Sequence, residues 1–242
     1  MPLGGGRTQL FFVLAVLGSG AAAGAVQGSV SMALAGPYIE EATFLESRAL
    51  IDAGDALDTP EFRAEYQEYR DWQRSGMIIA AVVLGMSSAA LFGIVYVLWG
   101  GSVPGRGPLA RSVALALIMW AVLFAVPSIK YPAELPASGD PDTIDERTAS
   151  YAALMVISGA GAALLWRASG RLRGASKALA PAGYAALMAA AFALLPDAPA
   201  SAGPDAAGFR AASVAGAAAL WAAMGLVFGS VWPRISARAQ AA

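Results

Sequence analysis

Two residue types are missing from the 242-residue chain: it has no cysteine and no histidine. Without thiols there can be no disulfide and no thiolate metal site. Without imidazole the usual general base is gone, and with it the commonest nitrogen ligand for zinc, cobalt, nickel or copper. Charge is scarce as well, at 14% of residues, where soluble domains carry about a quarter. Such a chain lacks the polar surface to face water all round. A net charge of −1 gives no electrostatic footprint for a nucleic-acid partner. No Ser-His-Asp set, zinc helix, phosphate loop or intramembrane carboxylate pair occurs, so an enzyme reading has no residues to stand on and no ATP site is expected.

What is present is apolar length. A membrane helix needs about 20 mostly apolar residues, because the hydrocarbon core is about 30 Å thick. Six stretches qualify: 10–34, 77–99, 112–129, 151–166, 179–195 and 211–232. The expected fold is all-α, a polytopic bundle of six transmembrane helices forming a single domain over 1–242. Trp99, Tyr131, Tyr151, Trp166 and Trp232 stand at or near segment ends, as interfacial aromatic belts would. The first stretch imitates a cleaved signal peptide, with Arg7 before it and Ala21, Ala23 and Ala25 along it. Its apolar character continues to Ala35, longer than a signal core, and it is read as a retained span.

The charges fix an orientation. Arg7; Arg106 and Arg111; Arg167, Arg171, Arg173 and Lys177; and Arg234 and Arg238 occupy the N-terminus, the second and fourth loops and the C-terminus, with no acid among them. All Asp and Glu lie in the first, third and fifth loops. The positive-inside rule then places both termini in the cytoplasm and the acidic loops outside a plasma (cell inner) membrane.

The first outer loop, 36–76, holds an N-terminal helix signature at Thr59-Pro60-Glu61. Phe62, Tyr66, Tyr69 and Trp72 follow at helical spacing with acids between them, which predicts an amphipathic helix on the interface or docked on the bundle. Pro136–Asp142 and Pro199–Asp205 match at a shift of 63, as do Arg147 and Arg210, so the last four helices read either as two parallel hairpin repeats or as coincidence in an Ala/Pro/Ser-rich stretch. Gly20, Gly24 and Gly28, and again Gly225 and Gly229, form small-residue faces suited to close helix packing.

Candidate functional residues follow from the oxygens that remain. Glu40, Glu41 and Glu46 after the first helix, with Glu134, Asp140 and Asp142 between the third and fourth, could form an anionic mouth that gathers hard or borderline divalent cations; the plainer reading is a solvated acidic rim. Gln27 is the most polar side chain inside any span and either bonds a neighbouring helix or lines a path. Lys130, Tyr131, Arg147 and Arg210 complete a candidate transport path. Arg147 and Arg210 each stand where a helix re-enters the membrane against its macrodipole, which calls for a carboxylate partner or a lipid phosphate. Met86, Met119, Met155, Met188 and Met224 put one thioether near the middle of helices two to six, read as packing rather than as a soft-metal ladder.

Several of these segments together resemble the family of the probable cobalt transporter subunit CbtA. They are Gly20, Gly24 and Gln27 followed by Pro37 and acids; Lys130-Tyr131-Pro132-Ala133, then Gly139-Asp140-Pro141-Asp142-Thr143-Ile144, Arg147-Thr148 and Tyr151; Leu195-Pro196-Asp197; and Phe209 to Ser213 leading into Leu220-Trp221 and Gly225 to Gly229. The third-loop motif is the specific one. The resemblance implies a five- or six-helix inner-membrane protein that moves cobalt for cobalamin synthesis with a small one-helix partner, CbtB, that carries histidines. The expectation is a membrane subunit of an uptake system for cobalt(II) or another divalent cation. It would have no permanently bound cofactor and would work as a homo-oligomer or with such a partner. The alternative is a non-transporting scaffold or assembly factor that docks a partner through its acidic loops. The two differ in polar continuity: a transporter needs polar groups or broken helices at mid-membrane, a scaffold a dry interior.

Overall fold

A computed structural model of the chain describes residues 6–54, 57–135, 141–197 and 205–241. Among them there is no strand, and seven α-helices carry the fold. They are α1 Gly6–Leu34, α2 Gly36–Asp52, α3 Pro60–Trp99, α4 Pro108–Lys130, α5 Ile144–Ser169, α6 Leu179–Leu194 and α7 Ala206–Ala241. Six are long and apolar enough to cross a membrane, all but α2; α6 reaches that length with the short 3₁₀ turn Gly174–Ala178 before it.

The stretch 36–76 departs from the expected loop. It is mostly helical, and its amphipathic helix is no separate element: α3 runs unbroken for 40 residues, about 60 Å at 1.5 Å per residue. That is twice the hydrocarbon thickness, so the amphipathic part continues the second span. Thr59 caps it as expected, its hydroxyl accepting from the Phe62 N–H at 3.2 Å, with Pro60 at the first position. The additional helix α2 starts where Gly36 and Pro37 interrupt α1, since Pro37 has no N–H for the Ala33 carbonyl. The Tyr66 hydroxyl donates to the Thr43 carbonyl and ties α2 to α3.

The chain divides into two compact units. The first holds α1, α2, α3, α7 and α4 as far as Met119; the second holds α4 from Trp120, α5 and α6. In the first unit α1 and α3 lie backbone to backbone. A Cβ on Gly20 would stand 2.5 Å from Ala89 Cβ, and one on Gly24 would collide with the Ala81 carbonyl oxygen. Gly225 and Gly229 do the same for α7 against Val113 and Leu109 of α4. At the opposite end from α2, Phe12, Phe92, Tyr96, Phe228 and Trp232 form a cluster with ring centroids 4.8 to 6.4 Å apart. Trp232 is therefore a core residue, 4% exposed, and not the belt residue its terminal position suggested.

Candidate transport site

The second unit contains an irregular stretch of membrane span. α4 opens into a π turn at Ala121–Ala125, where the Val126 N–H bonds the Ala121 carbonyl at 2.9 Å. The next bond in that series would run from residue 127 to the Val122 carbonyl, and residue 127 is proline. Val122 is thus left with a carbonyl that its own helix cannot satisfy. Ser158 of α5 donates its hydroxyl to that carbonyl and shares a 2.6 Å hydrogen bond with the Tyr184 hydroxyl of α6. Ser158 is fully buried. Ser158 and Tyr184 lie near the centres of their spans, so three oxygens from three helices meet inside the apolar core.

Toward the Lys130 end of α4 the unit has a cavity of about 400 Å³ lined by Phe124, Ser128, Tyr131, Glu134, Arg147, Thr148 and Tyr151, among others. Glu134 Oε2 stands 3.6 Å from Arg147 Nη1. Its other oxygen is buried with no hydrogen-bond partner among the described residues. Beside the cavity, the Lys130 side chain is only 7% exposed. Its ammonium donates to the Phe192 carbonyl and to Asp197 Oδ1, both at 2.7 Å, and Tyr131 donates to the Pro196 carbonyl at 2.6 Å. Asp197 is 98% exposed, and the hydrogen bond from Lys130, seconded by its charge, holds the carboxyl below its usual range. Leu154, Met188 and Ala191 form a buried apolar cluster against which both Tyr131 and Tyr184 pack. One apolar cluster thus adjoins both a cavity residue, Tyr131, and a residue of the mid-span set, Tyr184.

The candidate residues divide between the units. In the first, Glu40 accepts from Arg74 Nη2 and ties α2 to α3. Glu41 and Glu46 are exposed on α2. Gln27 Oε1 is buried with no hydrogen-bond partner among the described residues. Arg210 is half-buried near the start of α7. In the second unit Glu134, Arg147, Lys130 and Tyr131 come together, Asp142 is exposed, and Asp140 lies outside the described residues. Within neither unit do three described acidic side chains gather to hold a metal. Met119 and Met224 are buried in the first unit and Met188 in the second. Sequence reasoning missed Ser158, Tyr184 and the Val122 carbonyl; the available signal was Pro127 inside an apolar run.

The lone-pair donors at the cavity and in the mid-span triad are oxygens, with the Arg147 guanidinium beside Glu134. Such a set suits hard or borderline divalent ions with octahedral preference, and suits soft monovalent copper poorly. A family model described as probable cobalt transporter subunit (CbtA) matches residues 11–233. No curated protein and no solved structure matches the chain.

Proposed function

The chain belongs to the family of probable cobalt transporter subunits, CbtA, and from that premise we propose that its second unit is the cation passage of an uptake system. With six apolar spans it is a membrane protein, and a family of subunits implies a complex. The observation that carries the proposal is the π turn at Ala121–Ala125, with its Val122 carbonyl held by Ser158 and Tyr184. A bare cation in a low-dielectric interior costs tens of kcal/mol, so a passage must offer oxygens at depth, and an unbroken apolar helix offers none.

Cobalt(II), or another divalent cation of similar chemistry, enters as cargo. Glu134 offers its buried carboxylate oxygen at the cavity, with Tyr131, Ser128 and Thr148 around it. The acids of the first and third loops, Glu40, Glu41, Glu46, Asp140 and Asp142, raise the cation concentration at the outer membrane face by their field. The Leu154 cluster adjoins the triad, where Val122, Ser158 and Tyr184 replace water on a partly dehydrated ion. The protein carries no ATP site of its own and performs no catalysis. Nitrogen ligands, if the system uses them, come from a histidine-bearing one-helix partner of the CbtB kind; a second copy of this chain is the other candidate partner. Both termini face the cytoplasm across the plasma membrane. Reporter fusions after Gly105 and Ser176 should read cytoplasmic and fusions after Asp55 and Ser138 external.

The scaffold reading draws on the close-packed α1–α3 seam of the first unit. Cellular uptake of radioactive cobalt, normalised to protein level, separates the two. Tyr184→Phe removes the hydroxyl and keeps the ring, and Pro127→Ala supplies an N–H that competes with Ser158 for the Val122 carbonyl. Each should lower uptake severalfold, and Pro127→Ala should do so without lowering stability. Full uptake by both variants at normal protein level would sink the passage and favour the scaffold.

A further inference from the structure

The first unit carries a second cavity, of about 310 Å³, where α1, α2 and α3 meet. Its polar wall is Glu40, Gln67, Arg70, Asp71, Gln73 and Arg74, and the methionines Met32 and Met77 also line it. Two cations and two anions share one small space. A bare divalent cation would face two guanidinium groups there, and a plain anion two carboxylates. Glu40 and Arg74 already pair with each other, and a molecule bearing both a phosphate and a primary ammonium can bond Arg70 and Asp71 while sharing that pair.

The depth of the cavity narrows the source of that molecule. Along α3, Trp72 and Trp99 are 27 residues apart, about 40 Å on a helical rise of 1.5 Å. This matches a bilayer including its headgroup regions, about 40–45 Å, with aromatic residues at both interfaces. Trp72 is 69% exposed and stacks on Tyr69, also exposed. Arg70, Asp71 and Arg74 flank Trp72 in sequence and so lie at the same level. Antiparallel packing of α1 on α3 gives an independent measure: Gly20 meets Met86, Gly24 meets Val82 and Gly28 meets Ile78, which brings Met32 level with Arg74. From Arg7 to Met32 is again about 38 Å.

We infer that this cavity binds the headgroup of a zwitterionic aminophospholipid, phosphatidylethanolamine being the type. Arg70 and Arg74 hold the phosphate while Glu40 and Asp71 accept hydrogen bonds from the ammonium. A trimethylated choline headgroup has no N–H for those carboxylates, and phosphatidylglycerol has no ammonium.

Native mass spectrometry of the intact protein, released from detergent after equilibration with equal amounts of phosphatidylethanolamine, phosphatidylcholine and phosphatidylglycerol, tests it. The ethanolamine lipid should be retained about tenfold or more over each competitor, the worth of about one charge-assisted hydrogen bond. Arg70→Gln with Arg74→Gln should abolish retention of that lipid, while Arg63→Gln, whose ion pair with Asp58 lies outside the cavity, should leave it unchanged. If the double variant is not recovered folded, Glu40→Gln with Asp71→Asn should erase the preference over choline. Equal retention of the three lipids, or an unchanged preference in the variants, would overturn the inference. So would displacement of the bound lipid by excess glycerophosphoethanolamine, which would make the ligand a soluble zwitterion.

Discussion

In the first unit α1 and α3 meet backbone against backbone, Gly24 on the Ala81 carbonyl; in the second α4 and α5 meet hydroxyl against carbonyl, Ser158 on Val122. Both join apolar helices where lipid offers no hydrophobic drive for association, and they use the two means available, small residues and interhelical hydrogen bonds. The first unit adds a five-ring aromatic cluster. The second adds the Lys130 tie to Phe192 and Asp197, and the Tyr131 tie to Pro196. A glycine seam is stiff and dry and has nothing to give a passing ion. A hydroxyl network can exchange its partners, and the π turn holds one carbonyl outside the helical ladder. Under the proposed passage, the difference separates the part suited to hold shape from the part suited to move a charge.

The comparison breaks first at the seam. Gly24→Leu has no room, since even a Cβ collides with backbone that cannot swing aside. It should cost about 3 kcal/mol or more and remove the folded peak in size-exclusion chromatography after mild heating. Gly18→Ala, on the same helix with nothing within 4 Å of its Cβ, should leave the melting temperature unchanged or slightly raised. Equal tolerance at the two positions would show that the seam does not hold the unit together.

A smaller effect is expected in the second unit from Lys130→Met. The substitution keeps the side chain's length and apolar stem but takes the charged donor from the Phe192 carbonyl. Losing such a bond should cost about 1–3 kcal/mol, read as a lower midpoint in denaturant. If Lys130→Met were neutral, packing would hold this unit as it holds the first, and the contrast between them would fail.

Much of this was legible in the sequence because in a membrane protein composition acts over long stretches. The six spans, the Thr59 cap and the glycine faces each rest on residues read one segment at a time. The partner faces were harder. Ala81, Gly85 and Ala89 repeat at the same spacing as Gly20, Gly24 and Gly28, but among so many alanines their pattern has no contrast. The length of α3 was hidden because acids and aromatics mark an interface without interrupting a helix. At the site, Lys130, Tyr131, Glu134 and Arg147 stood out by charge and motif. Ser158 and Tyr184 did not, because a serine and a tyrosine in apolar helices are unremarkable until the carbonyl that they serve is known. That carbonyl is freed by Pro127, a residue with no polar atom of its own to offer.

The smallest effect concerns the exposed end of the Lys130 tie and separates its two halves. Asp197 has its carboxyl held below the usual value of about 3.9, first by the hydrogen bond from Lys130 and then by its charge. A carboxyl lowered by folding stabilises the fold in its ionised form. That contribution is complete above the ordinary value and is lost only as the pH falls through the lower, folded one. The melting temperature of the parent should therefore exceed that of Asp197→Asn by a small margin, constant from pH 7 to pH 5 and closing below about pH 4. Because Asp197 is exposed, salt should narrow the margin too. The deficit of Lys130→Met should persist across the whole range, since the Phe192 carbonyl does not titrate. A margin for Asp197→Asn that widened on acidification would reverse the sign and show that the carboxylate opposes the fold. A Lys130→Met deficit that vanished with it would put the whole strength of the tie in the exposed ion pair, leaving the buried carbonyl bond with none.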